Sequence, residues 1–242
     1  MQSLREMVRP SGCDRVLVIM AKAPKPGAVK TRLALHLSAN AVTDFYRCLL
    51  QDTLALARSL SGVELAIMCP DPDVIDLTQL AGPETTVIAQ KGDGLAAGLI
   101  SVFEHFAQPD PRRIIAFNSD SPHLPRVILE DAFETLSAHD LVVGPTHDGG
   151  YYLVGAKASR PALFANDGMG TSSALERLLL RARNLDLSPG FAPPFYDIDV
   201  ADDLTRLSEE LRLAPGRAPH TAQWLKQREL VAAQSRIDAE EL

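Results

Sequence analysis

Several segments of the sequence combine residue types that could bind phosphate. The loop KAPKPGAVKTRL, residues 22–33, holds four cations around one glycine, namely Lys22, Lys25, Lys30, Arg32 and Gly27. Lysine offers a compact charge, arginine offers a fork of donors, and glycine lets the backbone approach an anion closely. We therefore predict that the loop binds phosphates, with a solvated basic loop as the alternative. It is not a P-loop, because Val29 stands where that motif requires glycine.

Two later segments place carboxylates where a divalent cation could bind. Asp120 follows an apolar run in FNSDSPHLP, and Asp197 alternates with Asp199 in YDIDVADDL. Carboxylate oxygens bind hard cations such as Mg²⁺, which also contact phosphate oxygens. Two acids on one face of a strand repel each other unless a positive charge lies between them. The alternatives are that Asp120 caps a helix beginning near Pro125, and that the acidic pair is a solvated strand end before a helix capped by Asp202.

Three glycine-rich segments are candidate substrate contacts. GPTHDGGYYLVG follows an apolar strand, although Asp-Gly-Gly also suits a hairpin turn and the tyrosines could simply pack. GMGTSS offers amides and hydroxyls before a helix, with ordinary capping as its alternative, and GDGLAAG opens a helix that could face a nucleotide. The predicted nucleotide contacts here are Gly94 and Leu95, and the predicted substrate contacts are Asp148, Gly149, Gly150, Tyr151, Gly170, Thr171 and Ser172.

The overall composition is that of an ordinary globular protein. The chain has 242 residues, of which 46% are hydrophobic and 23% charged, and its formal net charge is -7, so we expect no nucleic-acid partner. Cys13, Cys48 and Cys69 are far apart, which predicts neither a disulfide framework nor a zinc site. No apolar run reaches membrane-spanning length. We therefore expect a cytoplasmic protein that does not interact with membranes.

Strand-like and helix-like segments alternate along the chain. Short apolar runs predict buried parallel strands at residues 16–20, 65–69, 86–89, 114–117 and 141–143. Helical spacing is found at residues 42–60, 95–106, 127–136 and 172–183, and a further helix is predicted to open at Asp202. Residues 151–155 follow a Gly-Gly turn with no intervening helix, which predicts an antiparallel strand, and another strand is predicted at residues 195–198.

These elements predict an α/β fold: a single-domain, three-layer α/β/α structure with a mostly parallel mixed sheet. The expected catalytic domain spans residues 15–230, between tails at residues 1–14 and 231–242. In open α/β sheets, ligands bind beyond the carboxyl ends of the strands. The polar segments that follow the strands are therefore expected to converge at one edge of the sheet.

The order of these segments resembles that of a family of largely uncharacterised, glycosyltransferase-like bacterial proteins. That family is related to 2-phospho-lactate guanylyltransferase and, more distantly, to molybdenum-cofactor nucleotidyltransferases. The matching pieces are KAPKPGAVKTRL, FNSDSPHLP, GPTHDGGYYLVG, GMGTSS, YDIDVADDL and PHTAQWL. The resemblance implies the GT-A-like fold of nucleotide-diphospho-sugar transferases. The GGxGxR loop of the sugar-nucleotide and molybdenum-cofactor enzymes is absent.

The resemblance also implies roles for individual residues. Lys22, Lys30 and Arg32 would meet a triphosphate, and Asp120 would be the central metal ligand. Asp197 and Asp199 would complete the metal site, while Gly170 and Ser172 would hold a phosphorylated acceptor. These assignments are implied by the likeness to the guanylyltransferases.

Together these features predict a nucleotidyltransferase that depends on Mg²⁺ or Mn²⁺. It would join a nucleoside monophosphate from a nucleoside triphosphate to a small, phosphorylated acceptor and release pyrophosphate, with Lys30, Arg32 and Asp120 as catalytic residues. One alternative is a glycosyltransferase that uses a nucleotide sugar as donor and transfers the sugar to a small acceptor. Another is a nucleotide-binding protein without catalytic activity. Formation of a homodimer is left open.

Overall fold

A seven-stranded mixed sheet forms the centre of the protein in the computed structural model, which describes residues 13–107, 112–165 and 171–240. The strand order is β3-β2-β1-β4-β6-β5-β7, and β6 runs antiparallel to its neighbours β4 and β5. The other pairings are parallel. The strands are β1 Arg15–Met20, β2 Glu64–Cys69, β3 Thr86–Ala89, β4 Arg113–Asn118, β5 Leu141–Pro145, β6 Tyr151–Ala156 and β7 Pro189–Phe191.

Helices cover both faces of this sheet, because side chains of successive strand residues point to opposite sides. In β1, Leu17 and Ile19 belong to the core on one face, whereas Val16 and Val18 belong to the core on the other. Helices α1, α2 and α4 pack on the first face, and α3 and α5 on the second. The helices are α1 Ala39–Arg58, α2 Val74–Ala81, α3 Gly94–Phe106, α4 Arg126–Ala138, α5 Ala174–Asn184, α6 Ala201–Leu213 and α7 Pro219–Glu240.

The predicted fold class is confirmed, including the antiparallel strand after the Gly-Gly turn. A third apolar cluster joins the first half of α1 to α6 and α7, with the rings of Phe45 and Trp224 at a centroid distance of 4.8 Å. Helix α7 continues to Glu240, so it crosses the tail boundary expected at residue 230. No described helix is long and apolar enough to span a bilayer.

Two local predictions about the segment before α6 are wrong. Residues 195–198 form no strand; Phe195 makes a single bridge to Thr146, and the seventh strand lies earlier in the chain. The β-forming residues of this segment pack their rings against other rings instead of joining a ladder. Helix α6 has Val200, not Asp202, as its N-cap, because the carboxylate of Asp203 accepts hydrogen bonds from the backbone N–H groups of Asp199 and Val200.

The sequence pattern does not predict helix α2. It covers eight residues, Val74–Ala81, and buries only Leu77 and Ala81. A pattern of two buried positions over about two turns is too short to stand out as helical periodicity.

Candidate active site

The carboxyl ends of β1 and β4 meet at one edge of the sheet. The two strands are parallel neighbours, with Met20 opposite Asn118. The loop after β1 and the segment after β4 therefore start side by side, which brings Lys22 and Asp120 to the same edge. The convergence expected from the sequence is observed here.

Asp120 meets the segment that precedes α6. The carbonyl oxygen of Asp120 accepts a hydrogen bond from the backbone N–H of Ile198 at 3.2 Å, and the Ser121 hydroxyl donates to the carbonyl of Tyr196 at 3.0 Å. These bonds hold the acidic segment against the end of β4. As a result, one carboxylate oxygen from each of three aspartates, Asp120, Asp197 and Asp199, lies within 4.8 Å of the others.

Lys30 lies between two of these acids. Its ammonium is 2.8 Å from Oδ2 of Asp120 and 2.6 Å from Oδ1 of Asp199, and only 5% of its side chain is exposed. Burial by itself would lower the pKa of Lys30, but the two carboxylates outweigh burial and raise it above its ordinary value. Lys30 also adopts the left-handed conformation, with φ 46°, which costs a non-glycine residue about 1–3 kcal/mol. In this strained conformation of the loop, the ammonium lies beside the two carboxylates.

Asp197 is the acid that the lysine does not reach directly. Among the described residues it forms no ion pair. Burial, followed by the charge of Asp199, raises its pKa to about 6. The cluster therefore holds more negative charge than Lys30 offsets, which is the electrostatic condition under which a divalent cation binds.

The helix-capping alternative for Asp120 is not observed. Helix α4 begins at Arg126 after Pro125, and no side chain caps its first turn. The carboxylate of Asp120 instead forms an ion pair with the ammonium of Lys30. Its side chain is 24% exposed, so it remains accessible from the cleft.

A cleft of about 610 Å³ opens beside the acids. It is bounded by the ends of β1, β2 and β4, the basic loop and the first turn of α3. The predicted nucleotide or metal contacts among its lining residues are Lys22, Lys30, Arg32, Gly94, Leu95, Asp120 and Asp199. A cleft of this volume with cations on its lining is large enough for a small molecule that carries phosphates.

Lys25 and Gly27 are not among the residues that line this cleft. The Lys25 ammonium is 2.8 Å from Asp73 and 3.0 Å from Asp76, so it ties the basic loop to the start of α2. Asp73 also accepts a hydrogen bond from the backbone N–H of Ala23 at 2.9 Å. Phosphate binding by Lys25 and Gly27 stays a prediction.

Tyr46 and Gln90 line the cleft but were not identified from the sequence. The Tyr46 hydroxyl lies 3.0 Å from the Ser119 hydroxyl and accepts a hydrogen bond from the backbone N–H of Lys22. Burial and then the charge of Asp120 raise its pKa to about 12. Tyr46 lies on the core face of α1, where the sequence pattern indicates only a packing role. Gln90 directly follows β3, and this position at the carboxyl end of a strand could have identified it as a candidate site residue.

A second cavity of about 250 Å³ lies on the other side of the acids. It is lined by Asp148, Gly150, Tyr151 and Thr171, together with the metal-binding candidates. Gly149 lies in the turn between the lining residues Asp148 and Gly150. It adopts φ +87°, and a Cβ added there would lie 1.9 Å from the carbonyl oxygen of Ser172. Gly170 lies outside the described residues.

Known proteins resemble this chain in both sequence and fold. Residues 53–171 match a family described as an uncharacterized protein conserved in bacteria, DUF2064. A 2-phospho-L-lactate guanylyltransferase from Methanocaldococcus jannaschii is 24% identical over 192 residues, which cover 79% of this chain and 82% of that relative.

Solved structures show the same fold. A structure described as a proposed nucleotide-diphospho-sugar transferase from Desulfovibrio desulfuricans G20 superposes with a TM-score of 0.82 and 26% identity, covering 91% of this chain and 97% of the other. A manganese complex of Rv0371c from Mycobacterium tuberculosis H37Rv gives a TM-score of 0.50 at 19% identity, with coverage of 81% and 98%.

The fold and the site define an α/β transferase of the nucleotide-diphospho-sugar transferase type. Within that class, the chain resembles the DUF2064 family and the 2-phospho-L-lactate guanylyltransferases. The resemblance expected from the sequence motifs is thereby confirmed.

Proposed function

We propose that this transferase is a nucleotidyltransferase that depends on Mg²⁺ or Mn²⁺. It joins a nucleoside monophosphate from a nucleoside triphosphate to a small acceptor and releases pyrophosphate. The observation that carries the proposal is the cluster of Asp120, Asp197 and Asp199 at the end of a nucleotide-sized cleft lined by cations. Guanylyl transfer by the Methanocaldococcus jannaschii relative supports it.

The donor set fits a hard divalent cation. All three candidate ligands are carboxylates, with no thiolate or imidazole among them, and such sets favour Mg²⁺ or Mn²⁺. Burial and then the charge of Asp199 raise the pKa of Asp197, and a bound cation would offset both effects. The manganese complex of Rv0371c supports the same assignment. A bound cation would supply Lewis-acid polarisation of the phosphate oxygens.

The basic residues would handle the triphosphate. Lys22 and Arg32 line the cleft, and the side chain of Arg32 is 68% exposed although its guanidinium lies 3.6 Å from Asp199, so an anion in the cleft can reach it. As the bond to the α-phosphorus breaks, negative charge grows on the leaving pyrophosphate, and these cations would stabilise it. Lys30 would orient Asp120 and Asp199 through the ion pairs it already makes.

The second cavity would hold the acceptor. It shares Asp120 and Asp199 with the nucleotide cleft, so an acceptor held there would meet the nucleotide at the acidic cluster, as an attack on the α-phosphorus requires. No protein nucleophile is needed for such an in-line displacement. The resemblance to the guanylyltransferases favours a phosphorylated acceptor held near Gly170 and Ser172.

The test measures pyrophosphate release from nucleoside triphosphates with Mg²⁺, with Mn²⁺ and with EDTA. Asp120→Asn should lower turnover at least 100-fold while the circular dichroism spectrum stays unchanged, because it removes a charge from the metal site. Asp202→Asn is the matched control, since Asp202 is an exposed acid of the same segment. Turnover that persists in EDTA, or in Asp120→Asn, would contradict the proposal.

The second candidate is glycosyl transfer from a nucleotide sugar. It is favoured by the 26% identity to the protein from Desulfovibrio desulfuricans G20, a proposed nucleotide-diphospho-sugar transferase. The same acids and cation would then hold a diphosphate, and the acceptor would attack the anomeric carbon. Release of a nucleoside diphosphate from a sugar nucleotide, without pyrophosphate release from triphosphates, would select this function.

A further inference from the structure

The cavity proposed for the acceptor differs from the nucleotide cleft in the charges of its lining residues. It shares Arg32, Leu95, Asp120 and Asp199 with the nucleotide cleft, so these residues form the boundary between the two spaces. A molecule in the second cavity would therefore meet the nucleotide at the acidic cluster. The volume of about 250 Å³ suits a small molecule and leaves no room for a polymer.

Away from that boundary, the described lining carries no lysine or arginine. Its polar residues are Asn118, Thr146, Asp148, Tyr151, Tyr152, Thr171 and Asp197. Among the described lining residues the one cation is Arg32, which sits at the boundary, 3.6 Å from Asp199, and whose charge is a minor cause of the lowered pKa of Asp148. Sites that bind phosphate esters usually offer a lysine or arginine to the phosphate. The described lining offers no such residue beyond the boundary.

Asp148 is held as an ionised hydrogen-bond acceptor in this wall. One oxygen, Oδ1, accepts the Thr146 hydroxyl at 2.5 Å and the backbone N–H of Gly150 at 3.1 Å. The bond from Thr146 is the main reason that the pKa of Asp148 lies below its ordinary value. The other oxygen, Oδ2, makes no hydrogen bond to the described residues and can accept one from a ligand hydroxyl.

Two backbone N–H groups at the start of α5 are not available to an anion. The backbone N–H of Ala174 donates to the carbonyl of Thr171, and that of Leu175 donates to the carbonyl of Gly149, both at 3.0 Å. A helix N-terminus binds phosphate through N–H groups that lack a partner. These two amides are already used to fasten α5 to the Asp-Gly-Gly turn.

From these observations we infer that the acceptor is a small, uncharged molecule that presents hydroxyl groups, and that Asp148 selects it. The inference rests on the proposed nucleotidyl transfer and replaces the phosphorylated acceptor suggested by the resemblance. An acceptor hydroxyl oxygen forms a bond to the α-phosphorus while the bond from that phosphorus to the pyrophosphate oxygen breaks. Pyrophosphate leaves with the electron pair, and the hydroxyl proton passes to water.

The experiment compares matched neutral and phosphorylated acceptors. Glycerol, glucose and myo-inositol, and a monophosphate of each, are offered with each nucleoside triphosphate and Mg²⁺ while pyrophosphate release is followed. Release should be stimulated by neutral compounds, and Asp148→Asn should lower the stimulated kcat/KM at least tenfold. Asp140→Asn is the control, because Asp140 also accepts bonds from a hydroxyl and an N–H but lies at the opposite end of β5.

Each outcome bears on one of the two ideas. Stimulation by phosphorylated compounds alone, by no neutral compound, or equally in wild type and Asp148→Asn would overturn the acceptor inference. Calorimetric titration with the triphosphates, with and without Mg²⁺, tests the nucleotidyltransferase separately. Binding that depends on Mg²⁺ combined with a preference for phosphorylated acceptors would refute only the acceptor inference, whereas the absence of binding would refute the proposed function.

Discussion

The buried carboxylate of Asp52 fastens α7 to α1, and its removal should cost a large part of the stability of the fold. Asp52 is 1% exposed. Its Oδ1 lies 3.1 Å from the backbone N–H nitrogen and 2.7 Å from the ring nitrogen Nδ1 of His220. Its Oδ2 accepts the backbone N–H and the hydroxyl of Thr221, at 2.8 and 2.7 Å. Because α7 begins at Pro219, these are the first backbone N–H groups of the helix, which have no partner within it.

The expected loss follows from these contacts. Replacing a helix cap by alanine costs about 0.5–2 kcal/mol, and each hydrogen bond to a charged group contributes about 1.5–3 kcal/mol. The four bonds are not additive, and the half-exposed His220 ring can turn to water. We expect Asp52→Ala to lower the free energy of unfolding by about 3 kcal/mol. Asp52→Asn should cost about 2 kcal/mol, because its amide group would face the donors of Thr221 or His220.

The measurement is urea unfolding at pH 7, followed by circular dichroism. With a denaturant dependence of about 3 kcal/mol/M, Asp52→Ala should move the midpoint down by about 1 M. Asp44→Ala on the same helix is the control, since Asp44 is exposed and Arg47 is its ion-pair partner among the described residues; it should cost less than about 0.5 kcal/mol. A loss below about 1 kcal/mol in Asp52→Ala would show that the buried carboxylate does not hold α7 in place.

Three further predictions concern the active site. Lys30→Met removes the ammonium that lies between the acids, so the metal-free variant should melt several degrees lower than the metal-free wild type. Mn²⁺ should raise the melting temperature of the variant more than that of wild type, because the cation replaces the lost positive charge. Equal shifts with Mn²⁺ would contradict this prediction. The pKa of Asp197 is raised in the folded state to about 6, so the stability it contributes is present below about pH 4 and lost as the pH rises through 6. Metal-free Asp197→Asn should therefore be more stable than wild type at pH 7, by about 1–2 kcal/mol after solvent screening, but not at pH 4, as measured by urea unfolding at both values. Gly149→Ala should displace the turn from Ser172 and cost about 2 kcal/mol or more in the same assay, whereas Gly216→Ala, where the added Cβ meets nothing, should change stability little.

The positions of the core strands could be predicted because each is encoded locally. The apolar runs at β1, β4 and β5 are continuous, as expected for strands covered on both faces, and polar residues follow each run directly. Because parallel strands bring their carboxyl ends to one edge of the sheet, the sequence alone predicts that Asp120 and the basic loop lie near each other. The antiparallel β6 could be predicted for the same reason, since a Gly-Gly turn leaves no room for a crossover helix.

The contacts that decide the character of the site could not be predicted in this way. Asp197 and Asp199 reach Asp120 from a segment that is not a strand, held by hydrogen bonds to residues about 75 positions away. Tyr46 enters the cleft from a helix whose pattern shows only a core face. Lys25, which the sequence groups with the phosphate-binding cations, forms ion pairs with Asp73 and Asp76 near α2, and the sequence pattern does not indicate these pairs.

The amino-acid sequence by itself determined the layered α/β fold and the sheet edge at which the chemistry lies, because strand and helix periodicity depend on neighbouring residues. Tertiary structure alone decided which charges face each other. Ion pairs such as Lys30 with Asp199 join residues 169 positions apart, and only the packing of the intervening elements sets their distance. The same packing divides the site into a cleft lined by several cations and a cavity whose described lining has one cation, Arg32 at the boundary between the two, a distinction that residue order cannot express.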